Sequence, residues 1–269
     1  MKVMKRIWKR VTSIVISCAI AVGVLGNNMA MAADSKKNII EEKSSELHRI
    51  IEECEKVDIV GSSKTIKRGQ IAALSEVSDM VGNNYTYMAI MMNGDLYSWG
   101  HNTHGEVGNG STEVQLTPVK ILSNVKTATY SAGYSSSGAY TVSAITENGD
   151  LYSWGYNTYG QVGNGSTKNQ LTPVKILSDV KTVTSYNVSS VALHTVSAIT
   201  ESGDLYSWGC NNHGQVGNGN TENQLTPVKI LSNVKNVTYS FLEFNNSSYI
   251  VSAIMESGEL YSWGYNNHG

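Results

Sequence analysis

The side chains of this sequence that could carry chemistry recur at one place in a repeated phrase. His104, His213 and His268 each follow a tryptophan by five residues, and Tyr159 takes that place once. Imidazole is a good metal ligand, but a metal site needs all its ligands about 2 Å from one ion. Equivalent side chains of successive structural repeats are spread along the array and do not converge. The series therefore predicts no metal site.

Acidic residues recur in the same way, each directly before a leucine–tyrosine pair: Asp95, Asp150, Asp204 and Glu259. A tight turn comes before each of them, so we expect side chains that satisfy local backbone donors. The sequence shows no nucleophile elbow, phosphate-binding loop, zinc-ligand pair or calcium loop. It therefore predicts a protein that is not an enzyme and uses no cofactor.

The repeated phrase returns at nearly constant spacing. Its tryptophans are separated by 55, 54 and 55 residues: Trp99, Trp154, Trp208 and Trp263. The predicted elements of one unit are, in order, a half-buried strand (141–146), a tight turn (147–150) with Gly149 at positive φ, a strand (151–155), a glycine-rich loop, a strand (174–177) and a fourth strand, "KTVTSYNV". Four short antiparallel strands per unit predict an all-β chain of β-propeller blades.

Burial of both faces of such a sheet requires a neighbouring copy on each side. We expect Leu151, Trp154 and Val162 to meet isoleucine and valine residues of the adjacent units. Trp154 would bury on the order of 200 Å². It is therefore predicted to be the largest packing element of its blade.

The phrases "WGHNTHGEVGNG", "WGYNTYGQVGNG" and "WGCNNHGQVGNG", together with "LHTVSAIT" from Leu193, resemble the regulator of chromosome condensation repeat family. The resemblance covers about 71–269 and implies a propeller, which in this family usually has seven blades. Three complete units and a truncated fourth would form an incomplete propeller over 66–269. We therefore expect the N-terminal fragment of a longer protein.

The N-terminal segment is typical of a secretory signal peptide. Five cations precede an apolar run over 11–25, and small residues follow up to Ala33, so cleavage is expected after Ala32. A membrane anchor and a lipoprotein modified at Cys18 are the alternatives. Cleavage at Ala32 would leave a secreted or cell-surface chain without a membrane span.

Removal of 1–32 leaves 15 basic against 22 acidic residues, a net charge near −7, which disfavours a nucleic-acid partner. The two remaining cysteines, Cys54 and Cys210, do not make a disulfide framework. Segment 33–65 reads as one amphipathic helix, either a linker or cap on the repeats or a docking helix for a partner.

The resemblance implies several functions. One family member exchanges nucleotide on a small nuclear GTPase, whereas secreted bacterial members of this fold include a β-lactamase inhibitor. For an exported bacterial chain we therefore expect a scaffold that binds a protein, or a surface glycan, through variable loops. Activity on a GTPase inside a host cell and a structural cell-surface array are the alternatives.

The units differ most just before each "VSAI" strand. Aromatic residues suited to interface anchors fall in or beside these stretches, among serine and asparagine: Tyr134, Tyr140, Tyr186, Phe241, Phe244 and Tyr249. Sequence drift at a tolerant site is the alternative explanation. We take these six side chains as the candidate partner-binding residues.

Overall fold

The computed structural model describes residues 76–82, 85–131, 140–188, 193–241 and 249–266, without the side chains of 186–188, 193, 241 and 249. All these residues except Glu76 belong to one compact unit, Val77–Gly269. The predicted signal peptide (1–32) and helix (33–65) lie outside the described residues. Within the described ranges no helix is long and apolar enough to cross a membrane.

Fifteen strands make up the regular structure of this part: β1 (Val77–Gly82), β2 (Thr86–Met91), β3 (Leu96–Gly100), β4 (Gln115–Leu122), β5 (Val125–Tyr130), β6 (Thr141–Thr146), β7 (Leu151–Gly155), β8 (Gln170–Leu177), β9 (Val180–Val188), β10 (Leu193–Thr200), β11 (Leu205–Gly209), β12 (Gln224–Leu231), β13 (Val234–Phe241), β14 (Tyr249–Met255) and β15 (Leu260–Gly264). They form four antiparallel sheets, β1–β4, β5–β8, β9–β12 and β13–β15. We number these sheets blades 1 to 4. The predicted three complete units and a shorter fourth are confirmed.

The predicted order of strands within a blade is wrong by one strand. "KTVTSYNV" was expected to close the unit that precedes it, but it lies in β9, which pairs with β10 of the next blade. Among the described strands, β8 pairs with β7 alone. The two-residue connection at Ser178 and Asp179 therefore links two blades and does not form a hairpin.

Strand β6 is buried at all six positions, so the prediction of a half-buried strand is wrong. Its side chains pack against two neighbouring blades, blade 1 on one face and blade 3 on the other. Val142 and Ala144 join a core with Met88 of blade 1, whereas Ile145 joins a core with Val196 of blade 3. A strand covered on both faces is apolar or tightly packed throughout, because neither face meets water.

The turns between the second and third strands are held by ion pairs. Carboxylate oxygens lie 2.7–2.8 Å from lysine Nζ in the last strand of the same blade, in the pairs Asp95–Lys120, Asp150–Lys175 and Asp204–Lys229. The hydrogen bond from Lys175 lowers the pKa of the Asp150 carboxyl. The prediction that the acids of this series satisfy local backbone donors is therefore wrong for these three aspartates. Glu259 accepts a hydrogen bond of 3.0 Å from Ser257 Oγ. Gly149 has the predicted positive φ, 78°.

Each tryptophan after the first ties its blade to the one before it. Trp154 is fully buried and packs with Met88 and Ile90 of blade 1. Its Nε1 donates a hydrogen bond of 3.0 Å to the carbonyl oxygen of Glu106. The same bond recurs at 2.9 Å from Trp208 to Gln161 and from Trp263 to Gln215. The predicted packing role of Trp154 is confirmed.

Gly160 allows the loop of blade 2 to approach blade 3 closely. Its φ is +77°, and a Cβ there would lie 2.9 Å from the Cα of Leu225. Gly214 has the same φ, yet the nearest atom to its Cβ would be the oxygen of Asn220 at 3.9 Å. Gly160→Ala should therefore cost about 1 kcal/mol more in the free energy of unfolding than Gly214→Ala. Urea denaturation of both variants measures this, and equal losses would show that the close approach is unimportant.

Candidate functional site

A buried asparagine organises each glycine-rich loop. Asn157 Oδ1 accepts from the Val162 backbone N at 2.9 Å, and its Nδ2 donates to the carbonyl oxygens of Ser166 and Lys168 at 2.9 Å. Asn102 and Asn211 hold the loops of blades 1 and 3 in the same way. One side chain thus replaces the backbone pairing that an irregular loop lacks.

These loops follow one another along one edge of the sheets. The backbone N of Gly110 donates to the Leu171 carbonyl at 2.9 Å, and that of Gly165 donates to Leu225 at 2.8 Å. The second strand of each blade begins at this edge and the third strand ends there, because the strands are antiparallel. We call it the loop edge and the opposite side the turn edge.

Half-buried rings bridge neighbouring blades along the loop edge. His104 of blade 1 meets Tyr156 of blade 2 edge to face, with ring centroids 5.1 Å apart, and His213 meets Tyr265 of blade 4 at the same distance. We call these four residues the bridging rings. Aromatic rings with one accessible side are typical anchors of protein interfaces.

The first of these pairs also contains a buried acid. Glu106 is fully buried, and its Oε1 lies 2.9 Å from His104 Nδ1 while Oε2 accepts from the His104 backbone N at 2.9 Å. Gln161 and Gln215 occupy this place in blades 2 and 3. A buried carboxylate needs such partners, because its desolvation is costly. Blade 1 thus carries a carboxyl group where blades 2 and 3 carry an amide at the loop edge.

Four of the six predicted anchor residues lie within the described ranges. Tyr134 and Phe244 lie outside them. Tyr186, Phe241 and Tyr249 lie in β9, β13 and β14 near that edge, and their side chains are among those not described. Tyr140 is 4% exposed and packs edge to face on Tyr130 in the core between blades 1 and 2. Its ring therefore stabilises the blade interface.

The sequence prediction omitted the bridging rings. The histidines were considered only as metal ligands, and in the described ranges no group of three or more His, Cys, Asp or Glu side chains could hold a metal ion. The sequence signal that could have indicated these rings is the position of His104 and His213 just after the third strand of their blades. In an antiparallel sheet that position shares an edge with the start of the second strand, where the variable stretches were found.

His194 is the most unusual polar residue of the blade 2–blade 3 interface. It is fully buried, and neither ring nitrogen has a hydrogen-bond partner among the described residues. The ring of Tyr156 lies 6.1 Å away, and the Nε2 of Gln161 is also buried without a partner in this part of the chain. Burial lowers the pKa of His194 from 6.5 to about 3.

Stability should therefore fall when the pH is lowered below the pKa that His194 has in the unfolded chain. Between pH 6.5 and pH 3 the unfolded chain binds a proton at this ring and the folded chain does not, so stability rises with pH. At pH 5 the contribution of His194 is a loss of about 2 kcal/mol relative to pH 7. Urea denaturation at both pH values measures it.

His194→Tyr is the matched control, because Tyr140 stands at the corresponding place in blade 2. The variant retains the carboxylates that also titrate in acid and lacks the imidazole. We expect its stability to change less between pH 7 and pH 5 than that of the unchanged chain. Identical changes in the two proteins would contradict the role of His194.

The repeated loop, its asparagine and the tryptophan are also what known proteins share with this chain. A model of the Regulator of chromosome condensation (RCC1) repeat matches residues 93–140, 148–196 and 202–242, just over half of the sequence. The chain belongs to the RCC1 repeat family. A second model of the RCC1 repeat matches residues 187–215. The three matches of the first RCC1 model begin just before the third strands of blades 1, 2 and 3. The first two end near the second strand of the next blade, and the last ends after the first strand of blade 4.

Curated relatives carry the same RCC1 repeats in longer chains. The ultraviolet-B receptor UVR8 of Arabidopsis thaliana is 35% identical over 190 residues, which cover 68% of this chain and 40% of the receptor. The human E3 ubiquitin-protein ligase HERC2 is 30% identical over 186 residues, or 68% of this chain and 4% of the ligase. This chain thus spans less than half of either relative.

The solved structure of Kap60 bound to yeast RCC1 (Prp20) is similar to this chain with a TM-score of 0.51. The identity is 19%, and the match covers 75% of this chain and 45% of the other. At this identity the likeness concerns the fold alone. It agrees with the propeller blades that the sheets of the RCC1 repeats form here.

Proposed function

We propose that this chain is an exported, non-enzymatic scaffold that binds a protein partner along its loop edge. The observation that carries the proposal is the set of bridging rings, His104 with Tyr156 and His213 with Tyr265. Their spacing is fixed by the blades, so a partner meets them without ordering a flexible surface first. The variable stretches before the second strands begin at this same edge.

Export is supported by the cationic, apolar and small-residue pattern of 1–32. The intact mass of the protein recovered from the medium of its native host tests it. A chain that begins at Ala33 is expected. Recovery of the protein in the cell pellet alone would contradict export.

Site-specific photocrosslinking tests the binding edge. A photoreactive phenylalanine analogue replaces Tyr156 or Tyr265, and in the matched control it replaces Lys175 at the turn edge, where the lysine side chain is also partly exposed. The tagged full chain is incubated with the medium and surface extract of its host culture. We expect one protein adduct from both loop-edge positions and none from position 175.

Two outcomes would count against the proposal. Adducts formed equally from position 175 would show that the loop edge has no special role. The absence of any adduct would remove the support for a protein partner. Variants Tyr156→Ser and Tyr265→Ser should then weaken capture of the identified partner, while Lys175→Ser leaves it unchanged.

A further inference from the structure

A cavity of about 190 Å³ lies between blades 2 and 3. Its wall consists of residues from the first two strands of blade 2 and the first strand of blade 3: Thr127, Ala128, Thr129, Ser143, Ile145, Lys181, Thr182 and Val183. Hydroxyl-bearing side chains thus make up half of the lining. A cavity of roughly 150 Å³ is large enough to hold one benzene ring.

The neighbouring interface shows what occupies the corresponding place. At the interface of blades 3 and 4, the Tyr239 hydroxyl donates a hydrogen bond of 2.7 Å to Ser197 Oγ. Ser197 in turn lies 3.3 Å from Ser207 Oγ. A phenol ring of the chain itself is therefore held there against the second strand of the preceding blade.

Strand register identifies the counterpart of Tyr239 at the cavity. In blade 4, Tyr239 of the first strand pairs with Val251 of the second strand. In blade 3, the same register pairs Ser185 of the first strand with Val196 of the second. Likewise Ser197 pairs with Thr184 and Ser143 pairs with Thr129, so Ser143 is the counterpart of Ser197. The blade 2–blade 3 interface therefore has the receiving serine and lacks the tyrosine that would meet it.

The interface of blades 1 and 2 has a tyrosine in this register as well. Tyr130 pairs with Val142 and is buried in the core shared with Met88. In this register blades 2 and 4 carry Tyr130 and Tyr239, whereas blade 3 carries Ser185. The cavity thus coincides with the interface at which the first strand carries serine, and not tyrosine, in this register.

We propose that the cavity between blades 2 and 3 is a binding site for a phenol ring, with Ser143 as the hydroxyl that recognises it. The ring would lie against Ile145 and Val183, and the phenolic group would exchange a hydrogen bond with Ser143, as Tyr239 does with Ser197. The tyrosine side chain of a peptide and a free small phenol share this chemistry. This site is separate from the loop edge and does not depend on the proposed function.

Methyl NMR titration of the full chain tests the site, since threonine and isoleucine methyls line the cavity. The probes are p-cresol, toluene of nearly equal size without the hydroxyl, and the blocked tripeptide acetyl-Gly-Tyr-Gly-amide. We expect p-cresol to shift the Thr127, Ile145 and Thr182 methyls and to bind at least about tenfold more tightly than toluene. Binding of the tripeptide identifies a peptide side chain as the source, and binding of p-cresol alone identifies a small phenol.

Ser185→Tyr should fill the cavity with the chain's own ring and weaken p-cresol binding at least about tenfold. Ser143→Ala keeps the cavity open and should abolish the preference for p-cresol over toluene, which provides a second test if the larger side chain is not accepted. Equal binding of p-cresol and toluene to the unchanged chain would overturn the proposal. So would the absence of methyl shifts, or binding that Ser185→Tyr leaves intact.

Discussion

Replacement of Trp154 by alanine is expected to lower the free energy of unfolding by about 3–5 kcal/mol. The side chain is fully buried between blades 1 and 2 and covers on the order of 200 Å², which corresponds to about 5 kcal/mol of apolar burial. The loss also removes the hydrogen bond to the Glu106 carbonyl, which is then buried without a partner. Urea denaturation followed by circular dichroism measures the change.

Two further variants separate the causes of this loss. Trp154→Phe retains most of the apolar surface and removes the donor to Glu106, so about 1–2 kcal/mol of the loss should remain. Trp99→Ala is the matched control in blade 1, where the ring is only partly buried and stacks on Tyr87 at 5.9 Å. Losses as large for Trp99 as for Trp154 would refute the argument that the contact between blades dominates.

Most of the fold follows from the repeated phrase. Four strands per unit, the turn at Gly149 and the packing of Trp154 are predicted by period-two alternation and by spacing, and all three are confirmed. Spacing cannot decide which strand begins a blade. A two-residue connection such as Ser178–Asp179 usually joins paired strands, yet here Asp179 has a φ of 58° and the chain passes into the next blade.

The candidate site was less predictable, because it depends on contacts between units. Nothing in the order of residues indicates that His104 of blade 1 meets Tyr156, 52 positions later, or that Asp150 binds Lys175 across its own sheet. Such pairs require the register of strands and the stacking of blades. Differences between the copies, in contrast, are visible in the sequence. One of them is Ser185, which stands where blades 2 and 4 carry Tyr130 and Tyr239.

Asn211→Ala is expected to lower the free energy of unfolding by about 3–4 kcal/mol. Its Oδ1 accepts from the Val216 backbone N at 2.8 Å, and its Nδ2 donates to the carbonyls of Asn220 and Glu222 at 3.0 Å. Each backbone group that loses such a partner costs about 1–3 kcal/mol when it remains buried. The loop should lose its conformation, and with it the support that Gln215 gives to Trp263.

Asn212→Ala is the matched control, because this neighbouring asparagine is exposed. An exposed change of the same kind should stay within about 0.5 kcal/mol. If Asn211→Ala is equally mild, the loop is held by its glycines and by the hydrogen bond from Trp263 to the Gln215 carbonyl rather than by the buried amide. If it is severe and also shifts the fluorescence of Trp263, one side chain connects loop conformation, blade packing and the position of His213 at the loop edge.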